Sequence, residues 1–119
     1  MIGTFDVLVI DCPDPNTLAD FYAELLPVRK YSDGPGWAEL VAENRPIIAF
    51  QKVDNYTAPQ WPGQEVPQQM HIDIKVDDLD EAEAAVLKLG ATKTGNGRTT
   101  FRVYLDPAGH PFCLIKPDD

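Results

Sequence analysis

Cysteine is scarce: Cys12 and Cys113 are the two in 119 residues, too few for a disulfide framework. No apolar run approaches the roughly 20 residues of a membrane span. The opening stretch M-I-G-T-F-D-V-L-V-I-D has no basic residue ahead of its apolar run and an aspartate inside it, unlike a secretory leader. A soluble, cytoplasmic chain with reduced thiols is therefore expected. Positive charge is also scarce, with 10 Lys and Arg against 19 Asp and Glu, a formal net charge of -9, and no basic cluster. Such a surface repels phosphate backbones, so neither nucleic acid nor a membrane is an expected partner. Histidine is limited to His71 and His110, which narrows the field of general bases and metal ligands.

The stretch Met70 to Ala91 is the most informative. Met70, Ile72, Ile74 and Val76 alternate with His71, Asp73 and Lys75, the period of a strand with one apolar and one polar face. Asp78, with Glu81 three residues on, has the spacing of a helix cap. Leu79, Ala82, Val86 and Leu89 then recur at helical spacing up to Gly90, a helix terminator. A helix packed on the apolar strand face leaves His71 and Asp73 looking elsewhere.

The first half repeats this plan. Phe5 to Ile10 reads as a buried strand, Asp14-Pro15 as a cap and first helical residue, and Leu18, Phe21, Tyr22 and Leu25 as the apolar stripe of a helix ending at Pro27. A shift of 64 positions lays Asp14 on Asp78, Leu8 on Ile72, Val7 on His71 and Leu25 on Leu89, which reads as two copies of one unit. Ser32 to Gly36 is a turn cluster, Trp37 to Ala42 a strand, Glu43 to Pro46 a hairpin-like turn and Ile47 to Val53 a further strand.

Residues 54–67 contain Pro59, Pro62 and Pro67 with Tyr56 and Trp61 and show no period, so they read as the linker between the units. At that length the segment is either a packed crossover or a binding loop. In the second unit, Ala91 to Thr94 is a short strand, Gly95-Asn96-Gly97 a turn and Thr99 to Leu105 a strand. Asp106-Pro-Ala-Gly109 is a β-turn and Pro111 to Lys116 the last strand.

The segments D-P-A-G-H-P-F-C-L, M-H-I-D-I-K-V-D-D-L-D and D-C-P-D-P-N-T-L-A-D-F-Y-A-E-L-L together resemble the vicinal oxygen chelate superfamily, over nearly the whole chain. That superfamily includes glyoxalase, bleomycin-resistance proteins, extradiol dioxygenases and epimerases; the resemblance is nearest to bacterial glyoxalase-like domain proteins. It implies an α+β fold of two tandem βαβββ modules whose strands form a curved, cup-like mixed sheet with helices outside. On this reading residues 1–119 are a single glyoxalase-like domain: module one 1–53, linker 54–67, module two 68–119. A homodimer is implied as well.

Metal-dependent members take one ligand from the first and last strand of each module. By this resemblance the positions fall on Val7, Gln51, His71 and Cys113. Val7 cannot bind a metal, and a hard divalent ion wants oxygen donors rather than a thiolate. The expected cofactor state is therefore none, with His71 and Gln51 the metal ligands if a divalent ion is bound.

His71 is a ligand, a general base or a hydrogen-bonding pocket wall. Cys113 is a nucleophile if a base activates it, and otherwise an inert buried thiol. His110, following the turn glycine, reads as a turn or strand-edge residue. A buried Asp73 needs a partner, for which Arg102 is the candidate. Trp37, Trp61, Tyr56 and Tyr104 are pocket walls or core aromatics. The expected function is metal-free binding of a small organic ligand by Val7, Val9, Trp37, Gln51, His71, Asp73, Arg102, Tyr104 and Cys113. The alternatives are a metal-dependent lyase, isomerase or dioxygenase using His71, and a non-catalytic interaction module.

Overall fold

A computed structural model describes residues 2–117. The chain divides into two compact units at Tyr56/Thr57, within the proline-rich segment. The first contains β1 (Leu8–Cys12), α1 (Pro15–Leu25), β2 (Arg29–Ser32), β3 (Trp37–Ala42) and β4 (Arg45–Lys52). The second contains β5 (Ile72–Lys75), α2 (Leu79–Lys88), β6 (Thr92–Arg98), β7 (Phe101–Leu105) and β8 (Pro111–Ile115). Each is one βαβββ module with a four-stranded mixed sheet, ordered β1-β4-β3-β2 in one and β5-β8-β7-β6 in the other. Among the described residues no helix is long and apolar enough to cross a membrane.

The repeat extends to ladder register. The parallel pair Leu8–Ile48 becomes Ile72–Phe112 under the same shift of 64, and the antiparallel pair Trp37–Gln51 becomes Phe101–Ile115. Positions on β1, on β4 from Ile48 and on β3 up to Leu40 therefore have defined counterparts on β5, β8 and β7, while the edge strands β2 and β6 pair out of step by one residue.

Both helices start as the sequence dictates. Asp14 accepts the Thr17 amide at 3.3 Å and its hydroxyl at 2.7 Å, with Pro15 at the first helical position. Asp78 accepts the Glu81 amide at 3.0 Å. At the end of α2, Gly90 has φ 113, which lets its amide reach the Leu87 carbonyl and the Ala91 amide reach Val86. A residue with a Cβ resists that left-handed backbone.

One face of each sheet packs on its own helix. In module one Leu18, Phe21 and Tyr22 are buried and Tyr22 stacks on Phe50 at 5.9 Å. In module two Val86, Ile74, Tyr104, Phe112 and Leu114 are buried, with Tyr104 and Phe112 stacked at 5.6 Å. Each such large apolar side chain stabilises the fold by about 1.5–3 kcal/mol relative to exposure. The opposite face of each sheet is free of its helix.

Two elements depart from expectation. The first strand begins at Leu8 rather than Phe5, because the Phe5 and Asp6 carbonyls accept the Arg45 guanidinium at 3.4 and 3.1 Å instead of entering a ladder; Phe5 is exposed. Strand β2, the third strand after α1 that the βαβββ resemblance implies, shows no pattern in its residues: Arg-Lys-Tyr-Ser carries one large apolar residue, and β2 is an edge strand paired with β3 alone. Gly95-Asn96-Gly97 is no turn but an irregularity within β6, which continues to Arg98, and the turn is Thr99-Thr100. There Gly97 (φ 146) lies so close to β7 that a Cβ would sit 2.6 Å from the Phe101 carbonyl oxygen and 2.9 Å from the Arg102 Cα.

Candidate functional site

The helix-free face of module two follows from the period-2 rule. Asp73 pairs with Cys113, Cys113 with Val103, and Ile115 with Phe101, so these five share one face, with His71 two residues before Asp73. They line a cavity of about 340 Å³, together with Trp61, Gln68, Thr100 and Pro111. Its wall is aromatic and aliphatic, and the side-chain polar groups come from Gln68, His71, Asp73, Thr100 and Cys113. Among the described residues no lysine or arginine lines it.

His71 Nε2 lies 3.1 Å from Asp73 Oδ1, with the two side chains 39% and 51% exposed. Cys113 is buried beneath them. Burial, then the charge of Asp73 and the hydrogen bond the thiol donates to it, push the Cys113 thiol up to about 11. At neutral pH it is an S–H donor rather than a nucleophile. The Gln68 Oε1 is buried with no hydrogen-bond partner.

Arg102, expected to pair with Asp73, is on the other face. It lies one residue from Val103, so the pleat turns it toward α2, where it meets Asp80 at 2.8 Å and Glu83 at 3.6 Å. Tyr104 goes with it: fully buried, it donates its hydroxyl to Glu83 Oε1 at 2.8 Å. Burial and the adjacent Glu83 raise that phenol to about 12. The hydroxyl in turn holds the Glu83 carboxyl below its usual value, with Lys93 and Arg102 adding to the effect. These residues clamp strand to helix. His110 is likewise bound into its turn, Nδ1 lying 3.0 Å from the buried Asp106, whose carboxylate also accepts the Ala108 and His110 amides.

Val7, Val9, Trp37 and Gln51 share the helix-free face of the module-one sheet, with Trp37 paired to Gln51 and Val9 to Ala49. The Trp37 indole donates to Glu39 at 3.0 Å. By register the counterpart of Cys113 is Ala49, and Gln51 answers to Ile115. Module one therefore presents Val7, Val9 and Ala49 where module two presents His71, Asp73 and Cys113. The trio has no polar copy.

Sequence reasoning overlooked Gln68, Thr100, Phe101, Val103, Pro111 and Ile115 as pocket residues. Alternation about Cys113 on β8 carried the signal for Pro111 and Ile115. The β7 residues needed the register.

A sequence profile described as a glyoxalase-like domain matches residues 7–115. The chain belongs to the glyoxalase-like family. With it comes membership of the vicinal oxygen chelate superfamily. No curated protein matches the sequence. Among solved structures, a glyoxalase/bleomycin resistance protein/dioxygenase family enzyme from Burkholderia phytofirmans PsJN is 16% identical, with TM-score 0.68 over 93% of this chain and 96% of that one. The fosfomycin resistance protein FosX from Listeria monocytogenes, solved with Mn(II) and a dihydroxypropylphosphonic acid, is 16% identical, with TM-score 0.68 over 99% and 95%. An antibiotic-binding protein from Streptomyces sp. CB03234 is 20% identical, with TM-score 0.55 over 99% of each chain. At these identities the likeness is one of fold.

Superfamily members such as FosX carry a divalent metal, so the donor set here must be tested against one. Among the described residues, His71, Asp73 and Cys113 place one donor atom each within 4.8 Å of one another. The set does not fit a hard ion such as Mn²⁺. One of its three donors is a sulfur and one a nitrogen, where such an ion wants oxygens. Among the described residues the pocket lacks the oxygen-rich cage a hard ion needs.

Proposed function

We propose that this glyoxalase-like protein binds a small organic molecule in the module-two pocket without a catalytic metal. The observation that carries this reading is the cavity itself: about 340 Å³, walled by Trp61, Phe101, Val103, Pro111 and Ile115, with a few convergent polar groups at one side. That is the usual composition of an organic-ligand site, in which apolar walls supply affinity and a few polar atoms fix orientation. The inert Cys113 thiol and the mutual pairing of His71 and Asp73 speak against nucleophilic catalysis. The antibiotic-binding protein of Streptomyces has this fold, and binding without chemistry suits the pocket.

A fragment screen by amide chemical shift tests the reading. Apolar fragments should shift the signals of Phe101, Val103 and Cys113, and Thr100→Trp, which adds bulk at the pocket rim, should abolish the shifts while leaving the melting temperature in place. Fragments that perturb no pocket residue would overturn it and favour an interaction module.

The convergence of His71, Asp73 and Cys113 favours a second reading, a metal-dependent reaction. Zinc, which accepts nitrogen, oxygen and sulfur ligands, is the ion to add. A saturable rise in melting temperature on adding Zn²⁺, lost in His71→Ala, would establish that site.

A further inference from the structure

We propose that the ligand of the module-two pocket is an aromatic or aliphatic molecule bearing a protonated amine, held by Asp73. The inference rests on the binding reading above and adds the ligand's charge. Among the described residues Asp73 is the single carboxylate lining the cavity and no lysine or arginine lines it, and the chain carries a net charge of -9. An anionic ligand would therefore meet repulsion near and far.

The donors now facing Asp73 leave it with capacity. A carboxylate offers about four lone-pair sites. His71 Nε2 takes one at 3.1 Å and the Cys113 thiol another, and half of the Asp73 side chain is open. Arg102 is held on the opposite face by Asp80 and Glu83. Lys75, two residues along β5 from Asp73 and paired in the ladder with Ile115, does not line the cavity.

An ammonium, with three donors, matches the open lone-pair sites of Asp73. Trp61 and Phe101 complete the match, since their ring faces attract a cation as well as an apolar body.

The test compares three near-isosteric probes: 1-naphthylmethylamine, 1-naphthylmethanol and 1-naphthoate. Affinities are measured by calorimetry at pH 7 and low salt on the full chain. The amine should bind at least about tenfold more tightly than the alcohol, and the carboxylate more weakly than both. Raising the salt should shrink the amine's advantage. Asp73→Asn should bring the amine down to the alcohol's level. Equal affinities for the three probes, or an amine preference that survives Asp73→Asn, would overturn the charge assignment and leave the binding reading standing. No binding of any probe at millimolar concentration would overturn both.

Discussion

Cys113 should be among the least reactive thiols a pocket can hold, and the reason is quantitative. An ordinary cysteine thiol, near 8.5, is about one-quarter thiolate at pH 8. Cys113, pushed to about 11, is on the order of 0.1% thiolate at that pH. The loss of thiolate alone slows alkylation by roughly two hundredfold. A higher-pKa thiolate is intrinsically the better nucleophile, which returns about tenfold. The net expectation is a rate about twentyfold below that of a free thiol, before its 7% exposure slows access further.

Iodoacetamide labelling read by peptide mass spectrometry separates Cys113 from the fully buried Cys12. The sign with pH follows from the raised value. Labelling of Cys113 should keep climbing through pH 9 and 10, where a free thiol has levelled off. The stability linked to this thiol is whole below the ordinary thiol value and is lost as pH rises toward about 11. Asp73→Asn removes the charge but not the burial, which is the larger cause, so it should speed labelling without reaching the free rate. A free-thiol rate for wild-type Cys113 at pH 8, or a plateau below pH 9, would refute the reasoning, because the pocket would then stabilise a thiolate.

Other perturbations read the framework. Asp78→Ala removes the α2 cap and should cost about 1 kcal/mol in urea unfolding, with no change in m-value. Gly97→Ala meets both a positive φ and a backbone oxygen at 2.6 Å, so it should cost at least about 2 kcal/mol and loosen β6 in hydrogen exchange. Tyr104→Phe deletes the hydroxyl that donates to Glu83 and should cost about 1 kcal/mol. The Glu83 contribution is present above the ordinary carboxylate value and is lost as pH falls through its lowered one. The same variant should therefore flatten the acid limb of the stability profile.

Much of the architecture was legible because each module announces itself locally. Asp14-Pro15 and Asp78 with Glu81 mark helix starts by side-chain chemistry that acts within one turn, and Gly90 marks a stop. The 64-residue shift, drawn from a few capping and stripe residues, proved to be the register of the ladders themselves. Strand β2 was illegible because an edge strand with one large apolar residue has no pattern to show. The glycines of β6 misled because the same left-handed freedom serves a turn or an irregular strand.

The site was half legible. His71, Asp73 and Cys113 lie together because two of them share a strand face and the third is Asp73's ladder partner. Arg102 was misassigned to Asp73 because opposite charges attract in thought at any distance, whereas the pleat fixes which face each residue occupies. Once Asp73, Cys113 and Val103 stand in one row, Arg102 must face α2. Gln68 could not be read at all, since an orphaned buried acceptor is a property of packing and not of residue type.

The central claim is that the module-two pocket binds its ligand through protein groups alone. The most direct test measures metal content and probe affinity on the same preparation, purified without nickel, before and after exhaustive chelation. The account predicts well under one metal ion per chain and an affinity for 1-naphthylmethylamine unchanged by the chelator. About one ion per chain, removed together with probe binding, would contradict it.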